Sequence, residues 1–82
     1  MFDVKEFTED YSRAYRTFYN SDDSVIHCME YHFTKMFDAR YNTDKDFTAM
    51  VNAFIKHRQD LITSDREAAA FYVTYIVYNN EV

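Results

Sequence analysis

The sequence predicts an all-α fold, one domain of four short helices packed as a bundle over residues 1–82. Three observations lead there. The chain has neither glycine nor proline. Two-residue hairpins and phosphate loops draw on glycine for positive φ, so a chain without it is best built from helices joined by short Asn, Asp, Ser and Thr connections. Apolar residues recur three and four apart along most of the chain, the spacing of a helix face. Acids gather where those runs begin: of the fourteen Asp and Glu residues, Asp3, Glu6, Asp22, Asp23, Asp44, Asp46, Asp65 and Glu67 fall at a cap or in a first turn, where they offset the exposed amides and the helix dipole.

The first helix is expected over about 4–19. Asp3 is its N-cap with Glu6 at the third position, and Val4, Phe7, Tyr11, Ala14 and Phe18 form a core stripe. Tyr11, Tyr15 and Tyr19 make a second line along the edge of that stripe. The second helix, about 22–41, is capped by Asn20 or Ser21 and turns Ile26, Met29, Phe33, Met36 and Phe37 inward, with Val25, Cys28 and His32 on a flank. Arg40 suits the negative pole at its end, and Asn42 can take a left-handed cap. The third helix, about 44–62, starts at Thr43 with an aspartate version of the capping box. Its face carries Phe47, Met50, Val51, Phe54, Ile55, Leu61 and Ile62, with Arg58 lying inside that face and forced to snorkel outward. Lys56, His57 and Arg58 compensate its C-terminal pole.

The fourth helix, about 65–79, organises the rest. Ser64 and Glu67 form a capping box, the hydroxyl accepting from the Glu67 amide and the carboxylate reaching back to the Ser64 amide. One face carries Ala68, Phe71, Tyr72, Tyr75 and Ile76, the other Ala70, Val73 and Val77, with Thr74 as the polar interruption. A helix apolar on both sides must be covered on both, so it is expected to be the most buried. Phe71 to Tyr78 also has the β-branched and aromatic composition of a strand, but a lone strand would lack a ladder partner within the subunit. Three single-stripe helices enclose one face well and the other only partly. Ala70, Val73 and Val77 are therefore expected at a homo-oligomer or partner contact. Asn79 to Val82 should fray.

Composition bounds the function. A domain of 82 residues buries only about 60–65% of its extended surface, and eight Phe and eight Tyr supply most of what stabilises it. A single cysteine, Cys28, allows no internal disulfide. The charged N-terminus has no signal-peptide apolar region, and no apolar run approaches the roughly 20 residues of a membrane span. A cytoplasmic protein with no membrane span is expected.

Side-chain chemistry is sparse. Cys28 and His32 stand four apart, and His27 and His32 stand five apart, which points the two imidazoles about 140° away from each other. A bound metal needs three or four convergent ligands, and a third could come only from a distant residue such as His57, so no metal and no cofactor are expected. No phosphate loop, nucleophile elbow or zinc-protease motif is present, and no enzyme activity is expected. Tyr11, Tyr15 and Tyr19 with Arg13 and Arg16 could stack a nucleotide or single-stranded nucleic acid. The two arginines, however, fall on another side of the helix, and a net charge of −5 opposes phosphate binding. These rings then read first as a semi-polar seam.

The expected function is that of a small non-enzymatic interaction or regulatory protein acting through another protein, homo-oligomeric, with nucleic acid disfavoured as a partner. Two alternatives stand beside it: a binder of nucleotides or single strands through the Tyr/Arg surface, and an acidic mimic of nucleic acid that blocks an enzyme. The Asn-, Tyr- and Phe-rich composition without Gly or Pro resembles the style of small accessory proteins of AT-rich phages or mobile elements, with no shared motif behind the likeness.

Overall fold

The computed structural model describes residues 2–20, 23–59 and 62–81, without the side chains of Phe18, Tyr19, Asp23, Val25 and Ile26. Four helices follow in order: α1 (Val4–Asn20), α2 (Asp23–Thr43), α3 (Lys45–Arg58) and α4 (Asp65–Tyr78). No strand occurs among the described residues, and Phe71 to Tyr78 is helical. The all-α bundle is the fold this chain adopts.

Capping chemistry sets the helix starts. Asp3 Oδ1 accepts from the amides of Lys5 and Glu6, each at 3.1 Å. Phe2, just before this cap, packs edge-on against Phe7 at 5.3 Å, closing a hydrophobic staple. In α3 the cap is Asp44 instead of Thr43. Its Oδ1 accepts from Asp46 and Phe47 amides at 3.0 and 3.2 Å, while Thr43 ends α2 and donates its hydroxyl to the Ala39 carbonyl. The carboxylate is the stronger acceptor, and extended backbone at Asp44 turns the chain with no glycine. Ser64 Oγ accepts from the Glu67 amide at 3.2 Å. The Glu67 carboxylate answers by accepting from that same hydroxyl, where the sequence suggested the Ser64 amide. Ser21 and Asp22, expected around the start of α2, lie outside the described residues, as do Asp60 and Leu61.

The helix ends differ more from expectation. Asn42 is not left-handed; it belongs to α2, and its side-chain amide donates to the Asp38 carbonyl at 2.9 Å. Among the described residues, the left-handed ones are Gln59 (φ 62°) and Asn80 (φ 56°). Gln59 stops α3 at Arg58, four residues before the predicted end, with its amide on the Ile55 carbonyl at 2.8 Å. A helix continued to 62 would leave only Thr63 to reverse the chain before Ser64. Ile62 instead packs on the core from outside the helix. At the other end, the amides of Asn80 and Glu81 reach the carbonyls of Val77 (3.1 Å) and Ile76 (2.9 Å), a Schellman motif with asparagine in glycine's place. The Glu81 carboxylate also receives both terminal nitrogens of Arg40, at 3.2 and 2.8 Å. The segment expected to fray is fastened to α2 at Glu81.

The backbone of α4 lies close against α1 and α2, and α3 packs on the same two helices. Ala68, Ala69 and Ala70 are buried and permit the close approach. Across the middle, α4 and α3 meet through large rings. Phe71 touches Phe7 of α1 (4.8 Å), Phe37 of α2 (5.8 Å), and Phe54 and Phe47 of α3 (5.1 and 5.6 Å). Thr74 is buried too, its hydroxyl donating to the Ala70 carbonyl at 2.7 Å, which removes the polar cost inside the helix itself. As expected, α4 carries the longest run of buried residues, Ala68 to Tyr72 with Thr74 and Tyr75. Met29 and Met36 were expected inside, but they are 40% and 37% exposed. The inward side of α2 is set by Phe33, Phe37 and Arg40, whose contacts with α4 rotate the two methionines to its edge.

Phe71→Ala should cost about 3–5 kcal/mol, comparable with a total stability of about 4–12 kcal/mol for a chain of 82 residues. A thermal melt followed by circular dichroism should lose its cooperative transition. Phe71→Leu should retain a lowered but cooperative one.

Candidate functional site

Two depressions flank α1 on different sides. The first is a cleft of about 390 Å³ where α1, the end of α3 and the start of α4 meet, lined by Tyr11, Ser12, Tyr15, Arg16, Arg58 and Glu67. The α1 stripe puts Tyr11 in the core, 4% exposed, with its ring edge-on to Phe54 at 4.8 Å. One turn later Tyr15 stacks on Tyr11, with centroids 6.0 Å apart and planes 26° apart. Arg58, the last residue of α3, lays its guanidinium over the Tyr11 and Phe54 rings at 5.0 and 5.1 Å. The snorkelling expected of Arg58 therefore ends on an aromatic shelf beside the cleft.

The electrostatics follow from that stack. Burial pushes the Tyr11 phenol up to about 12, because the phenolate would lose hydration. The hydrogen bond from Arg58 and its positive charge pull the other way, and the nearby Glu67 carboxylate pushes up again.

The predicted tyrosine line is thus divided. Tyr11 is core, Tyr15 is half-buried at the cleft, and the Tyr19 side chain lies outside the described residues. Arg16 does not stand apart from the rings as helical angles suggested; its long side chain lines the same cleft. Sequence reasoning missed Ser12, Arg58 and Glu67 as companions of the tyrosines. The one available signal was an arginine inside an apolar face, which needs an aromatic or acidic neighbour.

The second depression is a groove of about 250 Å³ between α1 and α4, lined by Asp10, Arg13, Ala14, Val73, Thr74 and Val77. Here lies what is open of the face Ala70–Val73–Val77. Ala70 is buried within the subunit's own core, Val73 is half-buried against it, and Val77 is 63% exposed. Asp10 and Arg13 form an ion pair at the rim.

Elsewhere, Cys28 and His32 are exposed on α2, and among the described residues no three His, Cys, Asp or Glu side chains converge as a metal would require. No described helix is long and apolar enough to cross a membrane.

The raised Tyr11 value carries a pH prediction. A phenol that titrates near 10 unfolded and near 12 folded gives stability that is complete below about pH 10 and lost as pH climbs toward 12. Melting temperatures measured from pH 9 to 12 should therefore fall more steeply for the native chain than for Tyr11→Phe; parallel curves would place the phenol in water. No protein-family model, no curated protein and no solved structure matches this chain, so the chemistry of its surface, these two depressions included, is what bears on function.

Proposed function

We propose that this chain is a small non-enzymatic interaction protein that acts by binding another protein, with the α1/α4 groove as its contact. The observation that carries this reading is Val77. It stands 63% exposed at the end of the helix that is otherwise the core, beside an apolar floor made by Ala14 and Val73. A groove of 250 Å³ falls below the roughly 300–1,000 Å³ of small-molecule sites and suits one or two aliphatic side chains of a partner helix.

A second copy of the chain is the first partner to consider. The face offers both a knob, Val77, and a hollow beside it, which is what a twofold contact needs. The Asp10–Arg13 pair at the rim can exchange partners across such an axis, acid to base on both sides. A cytoplasmic, regulatory role as an accessory protein of a phage or mobile element belongs to the same proposal, supported by composition alone.

Val77→Glu tests the contact without touching the core. Burying valine is worth about 1.5–2 kcal/mol, and it occurs twice across the axis, so the substitution should weaken self-association by at least about two orders of magnitude. Sedimentation should show a dimer for the native chain and a monomer for the variant, with unchanged helical content and melting. A native chain that is monomeric at high concentration would remove self-association. Val73→Glu is the poorer probe, because Val73 also packs on the subunit's own core.

A further inference from the structure

The last turn of α4 carries Val77, and residues that follow the helix close that turn. The final carbonyls of a helix find no partner inside it. Here the Asn79 amide reaches the Tyr75 carbonyl at 3.0 Å, and the Asn80 and Glu81 amides reach those of Val77 and Ile76 at 3.1 and 2.9 Å. The Asn79 side chain adds a second donor to the Tyr75 carbonyl at 3.1 Å. The carbonyls of Tyr75, Ile76 and Val77 therefore depend on where residues 79–81 are held. We infer that the Arg40–Glu81 ion pair is a salt-sensitive latch that holds them in place and sets how firmly Val77 is presented at the α1/α4 groove.

The charges explain why a latch is needed. The last turn of α4 has no basic residue, so nothing within the helix offsets its negative pole. Glu81 brings a carboxylate to that pole, where the dipole repels it. Asn80 is left-handed, a conformation that asparagine takes less readily than glycine. Both features work against the closing turn, and Arg40 answers the first. Helices α2 and α4 run the same way: the Thr34 hydroxyl donates to the Asp65 carbonyl where α4 begins, at 3.0 Å, and Arg40 meets Tyr72, Tyr75 and Glu81 further along. Their negative poles lie at one end of the bundle. Arg40, in the last turn of α2, serves both.

Geometry makes this pair a latch. Arg40 is fixed over the buried Tyr72 and Tyr75 rings, so its fork is set for a carboxylate before Glu81 arrives. Glu81 rides on an exposed segment, residues 79–81, that can swing away without opening the core. The two side chains are 28% and 36% exposed, within reach of dissolved ions. Screening weakens the pair but not the apolar packing of Val73 and Ile76 on the core. Control of a contact at Val77 rests on the protein-binding reading above, whereas the latch itself does not.

Amide hydrogen exchange of the full chain is followed at about 0.01 and 1 M sodium chloride, where charges are screened over about 30 and 3 Å. The Asn79, Asn80 and Glu81 amides should exchange about threefold faster at high salt, the range of a partly exposed pair. Glu81→Gln, which keeps the side chain's shape and loses its charge, should exchange that fast at low salt and respond no further. The amides of Ala69 to Phe71 should not respond in either protein. In sedimentation at low salt, Glu81→Gln should dimerise about threefold more weakly than the native chain. The latch is overturned if the three amides exchange alike in both proteins at low salt, or if salt moves them equally in both. Its control of the contact is overturned if Glu81→Gln dimerises as tightly as the native chain. A native chain that stays monomeric removes the contact and its control together, while exchange still decides the latch.

Discussion

The fold depends on one ring. Phe71 sits on the central helix and meets a phenylalanine from each of the other three, Phe7, Phe37, and the pair Phe47 and Phe54. No two of the outer helices need align closely for this to hold, because each is positioned against α4 or against its ring. That suits a chain whose connections are short and glycine-free. The three alanines before Phe71 bring the α4 backbone close to α1 and α2, and the rings then span the wider gap to α3. Small residues and large ones thus divide the work along a single helix, the alanines allowing close backbone approach and the rings filling the wider gap.

Placing so many tyrosines around that core raises a difficulty at its edges, since a phenol wants one wet end. Two arginines resolve it in parallel ways. Arg58 covers Tyr11 and Phe54 at one edge, and Arg40 covers Tyr72 and Tyr75 at another, with centroid distances of 5.7 and 5.0 Å. Each guanidinium shields ring faces from water, which a lysine would do less well. Arg40 is closed by the bidentate Glu81 contact, which pushes its guanidinium further up and pins the C-terminal segment. Burial also raises the Tyr75 phenol, with the Arg40 charge pulling against it. Arg58 lines the cleft beside Tyr11. The same device therefore covers ring faces at two edges of the bundle.

Element type and order were legible in the sequence, as were the starts of α1 and α4, because they are written locally; the α3 cap falls one residue later than expected, on Asp44. Asp3 and Ser64 act as the caps their position suggests, and the stripes through Phe7, Phe37, Phe47 and Phe54 face the core. Helix ends were poorly legible. In a chain without glycine the left-handed positions fall to Gln59 and Asn80, and nothing local distinguishes these from Asn42. The rotation of α2 was also hidden: Met29 and Met36 match its stripe as well as Phe33 does, and only the contacts of Phe37 and Arg40 with α4 decide between them. The cleft was half visible. Its tyrosines lie on one helix, but Arg58 and Glu67 arrive from two others, and that juxtaposition is a property of packing.

A core centred on one ring per helix has a consequence for what remains outside it. Because Phe71 and its neighbours define the bundle, the exposed apolar and cationic side chains contribute little to holding the subunit together. Val77 could be polar without opening the core, and Arg16 could be lost without breaking a described ion pair. Exposed Val77 forfeits the gain its burial would bring, while Arg16 holds an unshared charge beside aromatic walls. Neither is required by the fold itself. The two line different depressions along α1, with the Tyr11–Tyr15 stack and the Ala14 floor belonging to the same helix.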